Sequence, residues 1–113
     1  MKYRIIVRDR VREDIRRNRD WWAEDHSEAQ AERWFDLAFA SLESLETFPQ
    51  RHPLSYENDE FPYEIRDLLF GFGSRPSYRA VFTIQGDEVH VLAVRRGAED
   101  VLRADEIPSV ADE

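Results

Sequence analysis

The sequence contains no cysteine, and this absence excludes a disulfide framework and any metal site built on thiolates. Lysine occurs once, at Lys2, and no tyrosine follows Tyr78. There is no run of about 18 apolar residues that would span a membrane. The apolar stretch near the N-terminus, Tyr3 to Val7, is too short for the core of a signal peptide. The lack of cysteine, of a signal peptide and of a membrane-spanning run predicts a cytoplasmic protein without a membrane segment.

The length and composition predict one folded domain. The chain has 113 residues, of which 42% are hydrophobic, including three Trp and seven Phe, so it has the apolar content for one core. We therefore expect a single domain over residues 1–113. Its acidic end, at about residues 103–113, is expected to form a flexible tail.

Charge is distributed unevenly along the chain. The net charge is −8, yet residues 1–20 carry eight Lys or Arg against four acids. Residues 21–63 carry only two basic side chains against ten acidic ones. A strongly acidic protein repels nucleic acid at long range, so any contact with RNA or DNA would depend on a local basic patch.

The first half of the chain predicts a strand followed by two helices. A β-branched and aromatic run at residues 3–7 is typical of a strand. After Asp9, which we assign as an N-cap, apolar and basic residues fall on opposite faces of an amphipathic helix: Val11, Ile15 and Trp22 against Arg12, Arg16, Arg17 and Arg19.

The second helix is predicted from its cap and its period. Ser27 and Gln30 have the spacing of a capping box. Apolar residues follow at helical spacing as far as Phe48-Pro49: Ala31, Trp34, Phe35, Ala38, Leu42 and Leu45. Because only a few residues separate the helices, we expect an antiparallel hairpin with Trp22 and Trp34 in its core.

The second half of the chain predicts a sheet. Residues 49–63 hold three of the five prolines and have no period, which indicates a loop. Strands are predicted at about 64–70, 78–85 and 88–95, and Gly86-Asp87 between the last two suits a type II′ hairpin turn. The predicted fold is α+β, with an N-terminal strand and a two-helix hairpin packed on a twisted antiparallel sheet in the order β-α-α-β-β-β.

Arginine recurs on the predicted strands. Arg66 lies on the first strand of the second half, Tyr78-Arg79 opens the second and Arg95-Arg96 closes the third. A guanidinium binds phosphate or carboxylate and stabilises developing negative charge, but it does not act as a base at neutral pH. The alternative is that these arginines form surface ion pairs with nearby acids, namely Glu64, Asp67 and Asp87.

These features together resemble the RelE/ParE superfamily of type II toxins. The resemblance covers roughly residues 3–102 and rests on the order of elements and on several short motifs. The motifs are L-x-x-F-P at the end of the second helix (Leu45 to Pro49), Arg66, Tyr78-Arg79, V-H-V-L from Val89 and the basic pair Arg95-Arg96. The resemblance implies a toxin that arrests bacterial growth and is neutralised by a cognate antitoxin protein.

The resemblance leaves two activities and an inactive form open. One branch of the superfamily cleaves mRNA on the ribosome, and the other inhibits DNA gyrase by binding it. The residues Arg95 to Asp100 resemble the R-H-G-A-R-D ending of one branch. Two positions depart from it: Arg96 stands where His is usual, which removes a side chain that titrates near neutral pH, and Glu99 stands where Arg is usual, which reverses a charge. The C-terminal Tyr, His or Lys that serves as proton carrier in the nucleases is missing, and Glu99 or Asp100 is a weak substitute. These departures favour binding of a protein target such as gyrase.

The candidate site residues follow from the resemblance. In the alternative, a ribosome-dependent mRNA endoribonuclease, the catalytic residues would be Arg66, Arg79, Arg95 and Arg96. A third possibility is an inactive homologue retained for antitoxin binding. Binding of antitoxin or target is predicted for Trp21, Tyr78, Arg79 and Arg96, together with the outer face of the hairpin.

No cofactor or metal is expected. His26, His52 and His90 lack metal-ligand spacing, and Gly71-Phe72-Gly73 is too short for a phosphate-binding loop and predicts a turn.

Overall fold

The computed structural model describes residues 2–74, 76–97 and 101–107. It confirms the predicted α+β fold and the predicted order of elements. The helices and strands are β1 (Arg4–Val7), α1 (Asp9–Asp25), α2 (Glu28–Glu43), β2 (Arg66–Phe70), β3 (Tyr78–Gln85) and β4 (Glu88–Arg96). None of the helices in these described ranges is long and apolar enough to cross a membrane.

The sheet is mixed, which corrects the prediction of a wholly antiparallel sheet. Its strand order is β1-β4-β3-β2, and β2, β3 and β4 form the expected antiparallel meander. β1 pairs in parallel with β4, with Arg4 opposite Glu88. Whether β1 runs parallel or antiparallel to β4 depends on the path of the chain through the hairpin and the meander between them. The apolar pattern of a short strand does not predict this direction.

The two helices begin differently. The predicted N-cap at Asp9 is wrong, because Arg8 is the cap residue and Asp9 is the first helical residue, where its charge still favours the helix dipole. At α2 Ser27 is the N-cap, as the capping-box spacing predicts, and its hydroxyl accepts a hydrogen bond from the Gln30 N–H at 3.1 Å. A short 3₁₀ turn, Ser44–Glu46, follows α2 before the chain reaches Pro49.

The sheet is buried on both faces. The hairpin covers one face, where Ile15, Trp34, Leu42 and Phe82 belong to the main core. A second apolar cluster covers the opposite face; it comprises Phe61, Ile65, Val81, Leu92, Ala93, Leu102 and Ile107. Burial on both faces explains why nearly every residue of β3 and β4 is buried, rather than every second one.

Two segments outside the strands complete the second cluster. The loop at residues 49–63 contains the 3₁₀ turns Pro49–Arg51 and Asn58–Glu60, and Leu54 forms an isolated bridge with Arg66 at the edge of β2. In residues 101–107, Leu102 and Ile107 are buried and belong to the second cluster. Residues 103–107 of this segment fall within the predicted tail, and residues 108–113 lie outside the described residues.

The β3–β4 turn has the predicted form. Gln85 pairs with Glu88 across the two-residue turn, and Gly86 has φ +61°. Asp87 does not share a positive φ, which is the pattern of a type II′ turn and accounts for glycine at its first central position.

Candidate functional site

Arg66 holds the loop before it against the sheet. Its guanidinium donates to the backbone carbonyls of His52 at 2.7 Å and Gln50 at 3.2 Å, and it pairs with Glu64 at 3.1 Å. Burial, with the charges of Arg51 and Arg66 nearby, lowers the pKa of His52. The donors of Arg66 are therefore directed to the protein's own loop.

Arg79 lies at the centre of a buried ionic network. Its side chain is 2% exposed and donates to Glu57 Oε2 at 2.8 Å, to Asp67 Oδ1 at 3.3 Å and to Ser55 Oγ at 3.2 Å. Its Nε donates to the Gly97 carbonyl at 3.2 Å. We call Ser55, Glu57, Asp67 and Arg79 the Arg79 network. It ties the loop before β2 to β2, β3 and the end of β4.

The two carboxylates of the Arg79 network have opposite pKa shifts. Burial alone would raise the pKa of Glu57, but hydrogen bonds from Arg79, the Leu102 N–H and Ser55 lower it overall. Burial raises the pKa of Asp67, and the attraction of Arg79 only partly offsets this effect. Glu57 is therefore the main counter-ion of Arg79, which fits its two-oxygen contact with the guanidinium.

Arg95 is also held within the molecule. It lies directly opposite Arg79 in the β3–β4 register, and its guanidinium pairs with Asp14 at 3.0 Å and with Glu106 at 2.8 Å. Asp14 is itself 4% exposed and accepts a hydrogen bond from the Val94 N–H at 3.2 Å. Separate carboxylates thus neutralise the two neighbouring arginines, and Arg95 joins α1 to the C-terminal segment.

Arg96 is arranged differently from the other three arginines. It is exposed, and its guanidinium carbon lies 4.4 Å from the centroid of the Trp21 ring. Tyr78, opposite Arg96 in the register, is 2% exposed, and its hydroxyl accepts a hydrogen bond from Trp22 Nε1 at 3.0 Å. Burial raises the pKa of Tyr78. Among the residues predicted to bind a partner, Arg96 and the half-buried Trp21 are thus the accessible ones.

Arg96 and Trp21 belong to a larger surface that the sequence did not reveal. The Trp22 ring contacts both Phe72, at 5.2 Å, and His26, at 4.5 Å, and the Arg33 guanidinium lies 5.0 Å from the centre of the Phe72 ring. We call this surface the hairpin-tip cluster; it comprises Trp21, Trp22, His26, Arg33, Phe72 and Arg96. Two features of the sequence could have indicated this surface: the adjacent tryptophans in the last turn of α1, and an aromatic residue between two loop glycines.

A second surface lies on the outer side of the hairpin. Two adjoining cavities of about 340 and 430 Å³ share Arg12 and Phe39. One runs between α2 and β1, with Tyr3, Ile5 and Leu42 in its wall. The other lies between the helices beside Phe35, Arg16 and Arg19. We call the pair the Arg12–Phe39 groove. Within the described residues Arg12 has no carboxylate partner, whereas Arg16 and Arg19 pair with acids.

The remaining predicted site residues give little further chemistry. Over the described parts of the chain, no group of three His, Asp or Glu side chains is placed to hold a metal ion. Glu99 and Asp100, the weak substitutes for the missing proton carrier, lie outside the described residues.

The chain matches a protein-family model and is similar to solved structures. The family model described as "ParE toxin of type II toxin-antitoxin system, parDE" matches residues 5–101. Among solved structures, the chain is similar to one from the "Chromosomal ParDE TA system from P. aeruginosa", with a TM-score of 0.67 and 16% identity. The match covers 85% of this chain and 97% of the other, and at this identity it is evidence of the fold alone. No curated protein sequence matches the chain.

Proposed function

Because this chain belongs to the ParE toxin family of type II toxin–antitoxin systems, we propose that it arrests bacterial growth by binding a protein target and is neutralised by a cognate antitoxin. DNA gyrase is the first candidate target, since the resemblance to the superfamily pointed to gyrase binding or mRNA cleavage. The geometry of the arginines supports binding over cleavage.

The observation that carries this proposal is the state of Arg79. A guanidinium that stabilises a phosphorane-like transition state must reach the phosphate and bring uncompensated positive charge to it. Arg79 is 2% exposed and contacts two buried carboxylates. Arg66 and Arg95 are also engaged, by backbone carbonyls and by carboxylates respectively. Three of the four predicted catalytic arginines are therefore committed to contacts within the protein.

The overall charge supports the same proposal. With a net charge of −8, the protein repels RNA at long range, and the committed arginines do not form the basic patch that would overcome this repulsion. A protein target has no such dense charge. The accessible Trp21 and Arg96 are residue types that often anchor protein–protein interfaces.

The Arg12–Phe39 groove supports an antitoxin partner. Its apolar side chains, together with Arg12, which has no carboxylate partner among the described residues, suit an amphipathic segment that places apolar side chains against Phe39 and a carboxylate against Arg12. A segment bound there would cover the outer face of the hairpin, which is the surface predicted from the sequence for antitoxin contact.

The target is tested by expressing the chain alone in a bacterial host. Growth, transcript integrity by primer extension, and supercoiling by purified gyrase with the purified chain are measured together. We expect growth arrest with intact transcripts and inhibited supercoiling. New codon-phased 5′ ends would instead establish the endoribonuclease alternative, and soluble protein without growth arrest would identify an inactive homologue. Arrest with intact transcripts and normal supercoiling would reject gyrase and keep another protein target.

The antitoxin is tested by co-expression with the product of the neighbouring reading frame. We expect the two proteins to co-purify and growth to recover. Replacing both groove residues, Arg12→Glu with Phe39→Ser, should abolish co-purification. Phe48→Ser is the matched control, because Phe48 is 61% exposed and does not line the groove. Equal loss in both variants would reject the groove as the antitoxin site.

A further inference from the structure

The hairpin-tip cluster combines exposed cations with aromatic rings, and its two arginines pair with no acid among the residues that the structure describes. Acidic residues outnumber basic ones in this chain by 24 to 16, so carboxylate partners are abundant. Most arginines in the described ranges have such a partner, including Arg19 with Glu28 and Glu32. Arg33 and Arg96 have none among the described residues and lie over Phe72 and Trp21 instead.

This arrangement prepares both arginines to bind an anion. A guanidinium over an aromatic face is attracted to the ring and loses part of its side-chain freedom before any partner arrives. Within the described part of the chain, no residue accepts a hydrogen bond from Arg33 or Arg96. A carboxylate or a phosphate can therefore take two parallel hydrogen bonds without displacing the arginine from its ring.

The charge around the cluster favours a protein partner over a nucleic acid. Glu24 and Asp25, both exposed, lie on the same helix end as Trp21 and Trp22, and the protein as a whole is acidic. RNA brings one negative charge with every nucleotide and is repelled along its length. A protein segment can place one or two carboxylates on the arginines and turn apolar side chains toward the half-buried Trp22 and Phe72.

We propose that the hairpin-tip cluster is the surface by which this toxin holds its protein target, and that it binds Asp or Glu side chains of a segment that also carries apolar residues. This inference rests on the proposed function, because it names the chemistry of the target contact. It also separates that contact from the Arg12–Phe39 groove, which we assign to the antitoxin.

The test compares two double variants with the same change in net charge. Arg33→Gln with Arg96→Gln removes both guanidiniums of the cluster. Arg51→Gln with Arg103→Gln removes two exposed arginines outside it. The purified full-length proteins are titrated with two fluorescent probes, a short peptide that alternates Asp with Leu or Phe and a short uridine RNA, and the tryptophan fluorescence of the toxin is followed in parallel. Circular dichroism verifies that both variants are folded.

We expect the peptide to bind the natural chain and to change its tryptophan fluorescence. Loss of two charge-assisted contacts should weaken this binding roughly tenfold or more in the cluster variant and leave it unchanged in the control variant. Undetectable peptide binding by the natural chain, or equal affinity in all three proteins, would overturn the inference. Tighter binding of the RNA than of the peptide, lost in the cluster variant, would overturn it in favour of a nucleic-acid surface.

Growth experiments separate this inference from the function on which it rests. The cluster variant should lose growth arrest while it still co-purifies with the antitoxin. A natural chain that causes no arrest would reject the proposed function, whatever the peptide titration gives. A toxic natural chain with an equally toxic cluster variant would reject the inference and leave the proposed function in place.

Discussion

Replacing Arg79 by alanine should destabilise the protein strongly. Glu57 and Asp67 are 4% and 8% exposed, and the change leaves both carboxylates buried without their shared cation. Breaking a buried ion pair by removing one partner typically costs about 3–5 kcal/mol. The free energy of unfolding of a domain is usually about 5–15 kcal/mol, so Arg79→Ala should lose a large part of the total.

The loss should depend on pH. In the natural chain the pKa of Glu57 is lower in the folded than in the unfolded state, so Glu57 stabilises the fold at pH values above the ordinary carboxyl pKa. This stabilisation is lost as the pH falls through the lowered pKa of the folded state. Without Arg79, burial should raise the pKa of both carboxylates above their unfolded values. The folded variant then holds protons that the unfolded chain has released, so its stability should increase as the pH falls from about 7 to about 5.

The assay is urea unfolding at several pH values, followed by tryptophan fluorescence and circular dichroism. The matched control is the triple variant Arg79→Met, Glu57→Gln, Asp67→Asn, which removes the charges together. It should be more stable than Arg79→Ala at neutral pH, because no unpaired buried charge remains. A free energy of unfolding for Arg79→Ala within about 1 kcal/mol of the natural value would refute the reasoning. Growth assays with Arg79→Ala alone would confuse lost activity with lost folding.

Three further changes test single features of the fold by urea unfolding. Ser27→Ala removes the α2 cap and should cost about 1 kcal/mol, whereas Ser27→Gly should cost only a few tenths; equal losses would contradict the capping role. Gly71→Ala should destabilise more than Gly73→Ala, since a Cβ at Gly71 would lie 2.9 Å from the Ser77 nitrogen while Gly73 has open space; the reverse order would reject the steric account. Tyr78→Phe leaves Trp22 Nε1 without its acceptor and should cost about 1 kcal/mol. Burial raises the pKa of Tyr78 in the folded protein, so the natural chain loses stability as the pH rises from the ordinary tyrosine pKa through this raised pKa. Phenylalanine does not ionise, so the loss of stability at alkaline pH should be smaller in Tyr78→Phe.

The sequence predicted the elements whose signals are local. Ser27 and the apolar period after it located α2, and Gly86 located the tight turn between β3 and β4. Trp34 is fully buried as expected, while Trp22 is only half-buried because it lies at the end of the hairpin. The parallel pairing of β1 was missed because it joins residues more than 80 positions apart.

The site was harder to predict because its contacts are distant in sequence. The alternative that the strand arginines form surface ion pairs with Glu64, Asp67 or Asp87 is partly correct. Arg66 pairs with Glu64 and Arg79 with Asp67, but Arg79 is buried. Its main counter-ion, Glu57, lies in a loop without any period, and the C-terminal segment that helps bury it is rich in acids. The two guanidinium–aromatic contacts of the hairpin tip likewise join α1 to β4 and α2 to the β2–β3 loop.

The parallel pairing of β1 with β4 has a consequence for synthesis in the cell. A ribosome makes Arg4 to Val7 early and their partners Glu88 to Val91 late, so the helical hairpin can form long before the sheet is complete. Until β4 emerges, β1 has no strand to pair with and the apolar face of the hairpin has no complete sheet to cover. The nascent chain therefore lacks the complete sheet until β4 has been made, and the contact of Arg96 with Trp21 in the hairpin-tip cluster forms only after that point.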